Sequence, residues 1–510
     1  MTDAPPLRIV VLGGGTAGWT AACLIAKAWP RARVTVVESP AVGIVGVGEG
    51  STPQMRDLFR GLGIAEGDWM PAADATYKAG IRFDGWGGEG SYFHPFPSAI
   101  DRHTQAQFHH NTLARRRGAD VDAHPDRFFL TARIAADARA PVTPATFPFD
   151  IGYGYHFDAH KVGQVLRDHA VGLGVVHLSR HVASIALADD GDVAALVLDD
   201  GERVAGDLFM DASGFRSLIA QQALGVRFRP FAENLFCDSA VTIPTPRPHP
   251  SAASPLPPSP TGRGKLEVHT TATALSNGWA WRIPLTSRTG NGYVYSSAHI
   301  SPDAAETELR RHLNVVDDVP ARHLSMKVGR VETTWTRNCV AIGLAQGFIE
   351  PLEATALHLT QVAVEGFVES YAAGGFTPAH RDAFNARIAR RYEGVRDYIV
   401  AHYRLNRRGD TDFWRDNAAN ERLSDDLKAI MTAWFTGGDV AVLLGQRDLA
   451  RYYSPMSWEV LFAGYGTFPD PGRLRATADA VDLPGIDRLL DGCVLNLPDH
   501  ADALSALRSP

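Results

Sequence analysis

The sequence predicts a mixed α/β fold: an N-terminal parallel βαβ unit, more strands through the middle, and a mainly helical end. Three observations carry this. A glycine-rich turn at 13–18 sits between apolar runs at 8–12 and 33–37. Short apolar stretches, one closed by Asp199-Asp200-Gly201, recur between 182 and 296. From about Pro378, apolar residues fall at helical spacing.

Residues 8–12, Arg-Ile-Val-Val-Leu, read as a buried strand. Gly13, Gly15 and Gly18 follow at once, then an Ala-rich apolar stretch from 20 to 29 that reads as a helix. Residues 33–37 form a second apolar strand, answered by Glu38. Strands joined through a helix pair in parallel. Runs at 182–187 and 193–198 read as sheet edges, and 207–212 as another strand ending in Ser213-Gly214. Residues 244–260 hold eight prolines in 17 positions, which bars a central strand or helix interior. A surface loop or extended insertion is expected there. Strands resume at 279–284 and 292–296. Phe384, Ile388, Tyr392, Val395, Tyr398 and Ile399 then mark a helix. These readings divide the chain into 1–377 and a mainly helical 378–510.

Composition narrows the class. With 45% hydrophobic and 21% charged residues, the chain is globular rather than disordered throughout. A net charge of −7 gives no support to nucleic-acid binding, which needs a basic face. Cys23, Cys237, Cys339 and Cys493 share no CxxC spacing, so neither a disulfide scaffold nor a metal site is expected. No apolar run is long enough for a membrane span or signal peptide, and a cytoplasmic location fits. Only six of the 50 basic residues are lysine, which draws attention to Lys78 inside an aromatic segment.

Residues 13–18 fit GxGxxG. Gly13 permits the tight turn, Gly15 lets the backbone approach a pyrophosphate, and Gly18 lets helix and strand pack closely. The helix start, through Thr16 and Ala17, faces the phosphates with unpaired N–H groups. Glu38, 20 residues past Gly18, is placed to accept ribose hydroxyls. The motif alone does not choose between FAD and NAD. The late strand 207–212 running into Ser-Gly favours FAD, and the absence of a second GxGxxG means that electrons for a flavin arrive from elsewhere.

The sequence resembles the flavin-dependent tryptophan halogenase family. The matching stretches are 13–19, Gly46-Val47-Gly48-Glu49-Gly50-Ser51-Thr52, Tyr77-Lys78-Ala79-Gly80-Ile81-Arg82-Phe83-Asp84-Gly85-Trp86, His94-Pro95-Phe96, Tyr155-His156-Phe157-Asp158-Ala159, Trp279-Ala280-Trp281-Arg282-Ile283-Pro284, Glu350-Pro351-Leu352-Glu353-Ala354-Thr355, and His402-Tyr403-Arg404-Leu405 with Phe413-Trp414. The resemblance implies an FAD-binding α/β part with an inserted antiparallel sheet, capped by a mainly helical C-terminal part. It implies FADH2 supplied by a separate flavin reductase, and dioxygen and halide converted to hypohalous acid. That oxidant then replaces a ring hydrogen of an electron-rich aromatic such as tryptophan, indole or another indolic compound. At family level it also implies a homodimer.

By the same resemblance, Lys78 holds and aims the hypohalous acid, by hydrogen bond or as a chloramine, and Glu353 polarises the oxidant and takes the ring proton. Gly48, Glu49, Val182, Leu344 and Leu357 join the glycine motif around FAD. The N–H groups of Thr355 and Ala356 form the chloride or bromide site. The family has Ser and Gly where this chain has Ala354 and Ala356, and a left-handed backbone at Ala356 would be costly. His94 and Phe96 match the substrate cavity; Phe96 suits an aromatic face, while His94 either holds the ring or is a satisfied buried histidine. Tyr452, Tyr453, Trp458 and Glu459 are candidates for the amino-acid end of the substrate. Trp279 and Trp281 wall a tunnel or simply fill core. The alternative is a class A flavin-dependent aromatic hydroxylase; its Gly-Asp pair would fall at Gly343-Leu344-Ala345, where the acid is missing.

Overall fold

The structure, a computed structural model, describes residues 6–43, 48–246, 265–316, 319–470 and 478–508. In the first sheet, β1 (Arg8–Leu12) lies between β2 (Arg33–Glu38) and the strand Leu208–Asp211, all parallel. Val176–Ser179 extends the sheet beyond β2, and Cys339–Ala341 beyond Leu208–Asp211. β1 has no polar alternation because both of its faces are covered. Ile9 and Val11 enter the main core, while Val10 and Leu12 join a second cluster with Val37, Val182 and Phe209.

The helix α1 (Thr16–Ala28) starts earlier than the apolar run alone indicated and stops at Trp29, ahead of Pro30. The three motif glycines do three different jobs. Gly13 has φ +117°, and a Cβ there would stand 2.3 Å from the Ala212 carbonyl oxygen. A Cβ on Gly18 would stand 1.9 Å from the Gly13 carbonyl oxygen. A Cβ on Gly15 would meet nothing within 4 Å, so that residue opens onto free space at the helix start.

The strands β3 (Glu49–Gly50) and β4 (Thr76–Lys78) flank Gly154–Phe157 in a small antiparallel sheet. The next strands, β5 (Gly80–Asp84) and β6 (Ser91–Pro95), form one edge of an eight-stranded sheet. It continues through Thr270–Leu275, Gly278–Pro284, Arg288–Tyr295, Ser239–Thr242 and Arg322–Ser325, with Thr245–Pro246 beside Arg288–Tyr295. Every pairing is antiparallel except β5 with Thr270–Leu275. This is the inserted sheet. Of the proline-rich stretch, 244–246 supplies the two-residue strand; 247–260 lies outside the described residues. The chain passes from the small sheet to the large one at Ala79, immediately after Lys78.

From Arg381 onward the described elements are all helices. The helix Arg381–Arg404 buries Phe384, Ile388, Tyr392, Val395, Tyr398 and Ile399, the positions its spacing predicted. The main core runs without a break from β1 to these helices. All four cysteines are buried and free. Among the described residues, no helix is long and apolar enough to cross a membrane, and no group of metal-ligating side chains comes together.

Gly18→Ala forces a methyl into the Gly13 carbonyl. It is expected to cost about 2 kcal/mol of stability, within the range for overpacked sites, and to lower the urea midpoint. An unchanged midpoint would mean that the helix–strand contact is slack.

Candidate active site

The glycine motif and Glu38 meet as predicted. A Cβ on Gly14 would lie 2.1 Å from the Glu38 carboxyl carbon, so that side chain rests directly on the turn. His177 Nε2 lies 3.0 Å from Glu38 Oε2. Gly343, at φ +58°, backs onto α1: a Cβ there would sit 2.6 Å from Ala17 Cβ. This sets half-buried Leu344 beside the helix start. Val182 lies in the core cluster beside Leu12 and Val37. Leu357 lines a cleft with Thr16, Thr20, Ser51, Thr52 and Met55. Gly48 has φ +86°, and burial pushes the Glu49 carboxyl up to about 7. Open space at Gly15, a helix N-terminus behind it and an acid at the ribose position fit a dinucleotide such as FAD.

Lys78 is completely buried at the end of β4. Its Nζ has no hydrogen-bond partner among the described residues and lies 5.3 Å from the centre of the Phe96 ring. Burial lowers its ammonium to about 7, with Glu353 acting in the opposite direction. An unpaired buried ammonium is costly unless a ligand answers it. Below it lies Gly50, where a Cβ would come within 3.1 Å of Nζ.

Glu353 ends a short 3-10 turn, Pro351–Glu353, and is buried. Burial alone would raise its carboxyl; His94, His402 and Lys78 outweigh this and hold it below the usual range. His402 was quoted from the sequence only as part of a motif, yet its Nε2 approaches Glu353 Oε1 at 3.0 Å, without the alignment of a hydrogen bond. Its Nδ1 lies 2.6 Å from the Tyr465 hydroxyl, and its ring stacks on Phe83. Helical spacing marked the neighbouring turns but assigned His402 no partner.

His94, on β6, is buried and tied to Tyr398. The Tyr398 hydroxyl donates to the Ser457 carbonyl, so it accepts from His94 Nε2–H at 3.0 Å. That leaves His94 Nδ1 as a bare acceptor without a partner among the described residues. Trp458 meets Tyr398 edge-on and stands one ring behind His94. Tyr453 stacks on Tyr398 at 3.6 Å, Tyr452 joins it along a small cavity, and Glu459 pairs with His109 at 2.6 Å. Lys78, Glu353, His94 and Phe96 thus come together, whereas Trp458 and Glu459 have neighbours of their own.

The helix Ala356–Ala373 begins where predicted, with Thr355 as its first flanking residue. Its first-turn amides have no acceptor within the helix. The left-handed residue is Ala354, at φ +56°, and Ala356 is helical. The expected strain therefore falls one position before the threonine, because the reversal is completed before the helix starts. Glu350 is fully paired on one oxygen: Oε2 accepts from Trp279 Nε1 and the Tyr403 hydroxyl, and burial pushes its carboxyl up to about 7. Trp279 and Trp281 share one face, with ring centres 6.2 Å apart.

The Lys78 ammonium titrates at about 7 in the fold, against 10.5 for an ordinary lysine. Between those values the unfolded chain holds more protons, so this residue makes stability rise with pH. Lys78→Met is expected to be more stable than wild type at pH 6. Its lead should shrink by up to about 1.4 kcal/mol per pH unit above pH 7. Urea unfolding from pH 6 to 9 measures this, and a constant difference would show that Lys78 is solvated.

The family model described as tryptophan halogenase matches residues 8–481. The chain is 35% identical over 500 residues to 7-chloro-L-tryptophan 6-halogenase KtzR of Kutzneria sp. (strain 744), covering 91% of each chain. It is 35% identical over 511 residues to tryptophan 6-halogenase SttH of Streptomyces toxytricini, covering 94% of each. The crystal structure of SttH superposes with a TM-score of 0.82 at 31% identity, over 99% of this chain and 100% of that one. MibH, a lanthipeptide tryptophan 5-halogenase, superposes with a TM-score of 0.85 at 28% identity, over 100% and 95%. The hydroxylase alternative has no counterpart among these three. With its glycine motif, buried lysine and facing glutamate in one continuous fold, the chain belongs to the tryptophan halogenase family of flavin-dependent halogenating enzymes.

Proposed function

We propose that this enzyme halogenates an electron-rich aromatic, an indole or indolic compound, through Lys78 and Glu353. The observation that carries the reading is the buried Lys78 ammonium, without a hydrogen-bond partner among the described residues, in a site shared with Glu353. KtzR, SttH and MibH act, by their names, on a chlorinated tryptophan, on tryptophan and on a lanthipeptide tryptophan. The indole ring is common to all three.

Gly13, Gly15, Thr16, Ala17 and Gly18 would hold the FAD pyrophosphate, Glu38 the ribose, and Gly48, Glu49, Val182, Leu344 and Leu357 the remainder. When bound in reduced form, FAD activates dioxygen so that halide is oxidised to hypohalous acid. The Thr355 and Ala356 amides hold the halide, since anions are stabilised at helix starts. Lys78 Nζ donates to the hypohalous oxygen, or carries the halogen as a chloramine, and fixes it near one ring carbon. Phe96 and His94 bound the arene. As the ring carbon attacks the halogen, the oxygen–halogen bond breaks and the departing hydroxide takes a proton from the Lys78 ammonium to leave as water; on the chloramine route the nitrogen–halogen bond breaks and its electron pair returns to the Lys78 amine. The Glu353 carboxylate, held below the usual carboxylate range, takes the ring proton and passes it on to the Lys78 amine. A separate flavin reductase supplies FADH2.

The test is incubation with FAD, a flavin reductase, NADH, bromide and indole, read as the mass shift of bromination. Lys78→Ala is expected to abolish halogenation while an added halogen trap still records hypohalous acid; retained halogenation would remove Lys78 from the mechanism. Glu353→Gln is expected to lower kcat about 100-fold or more, and an unaffected rate would move the proton acceptor elsewhere.

A further inference from the structure

His500, in the C-terminal helix His500–Ala506, lies beyond the end of the family match at residue 481. It is buried, 422 residues from Lys78 in sequence, yet it touches the same strand. Its Nε2 accepts the backbone N–H of Tyr77 at 3.2 Å, and its Nδ1 lies 3.0 Å from the Leu266 carbonyl oxygen. A carbonyl only accepts and a backbone N–H only donates. The ring therefore carries its proton on Nδ1 and is neutral.

The two atoms it joins belong to an interrupted ladder. The Ala79 N–H donates to the Val268 carbonyl at 2.7 Å. Parallel strands repeat such bonds every two residues, so the next rung back would join the Tyr77 N–H to the Leu266 carbonyl. The imidazole stands between those two groups and passes the hydrogen bond through its ring. Lys78 lies between the two pinned amides. The segment bearing His500 is itself fixed: the His500 N–H donates to the Ala138 carbonyl, and the Ala140 N–H to the Pro498 carbonyl.

We infer that His500 is a positioning residue for Lys78, an imidazole wedge supplied by the C-terminal helix that sets where the Lys78 backbone sits and so where its amine points. This rests on the proposed role of Lys78 for its effect on halogenation, but not for its effect on the amine. A direct rung would draw β4 toward residues 266–268 by the width of a ring. A missing rung would leave the Tyr77 N–H buried without an acceptor.

Two readings test it. In wild type, side-chain nitrogen NMR is expected to find His500 protonated on Nδ1; protonation on Nε2 would overturn the wedge. With only six lysines, side-chain-labelled lysine resolves Lys78 individually. Its titration, at about 7 in wild type, is expected to move by at least about one unit toward 10.5 in His500→Phe and to stay in His500→Gln, whose amide can both accept and donate. In the same variants, product formed per hypohalous acid generated is expected to fall about 10- to 100-fold for Phe, with hypohalous acid formation kept, and to recover for Gln. A His500→Phe chain with the wild-type lysine titration and yield would overturn the inference, as would a Gln variant no better than Phe. The lysine titration needs neither flavin nor halide. A wild-type chain that halogenates nothing therefore counts against the proposed activity alone.

Discussion

The constraint on which the rest of this structure depends is the removal of one ammonium group from water. A buried lysine that lacks a partner relaxes toward solvent if its backbone allows it. Here each neighbouring residue on the strand is tied down by its side chain or its backbone. Thr76 Oγ1 donates to the Pro284 carbonyl, the Tyr77 hydroxyl to Glu66, and the Ala79 N–H to the Val268 carbonyl. Glu66 also accepts from Tyr153 and Tyr155, so three phenols converge on one carboxylate behind the strand. The side chain of Tyr77 serves that anchor on one face while Lys78 serves the site on the other, as strand alternation requires.

The same economy joins the two ends of the enzyme. The segment 48–50 sets Gly48 beside Ile283, Leu285 and Gly290 and Gly50 against the Lys78 amine. The helix Ala356–Ala373 starts three residues after Glu353.

Local rules made the first half of this legible. The glycine motif, both flanking strands and Glu38 lie within 31 residues, and Gly13 and Gly18 make the tight turn and close helix–strand packing that their positions predicted. Strands Val182–Leu187 and Val193–Leu198 have the bounds that the pattern gave them. The periodic residues of Arg381–Arg404 are buried on schedule. What stayed hidden is long-range. The partners of His402, Glu66, Glu459 and His500 lie between 11 and 423 residues away, at offsets with no periodicity to read. Strain was expected at Ala356 because Gly-to-Ala is the visible change; the backbone reversal is taken at Ala354 instead.

Tyr92, Tyr398, Tyr453 and Tyr465 gather near Glu353, and burial, with that carboxylate adding to it, holds each phenol well above its ordinary ionisation range. Electrophilic halogen attacks phenolates far faster than phenols. An enzyme that releases such a reagent among its own tyrosines would therefore consume itself if those rings ionised. Their dry, anionic surroundings keep them in the sluggish form, so the environment that sharpens the lysine also spares the walls from corrosion.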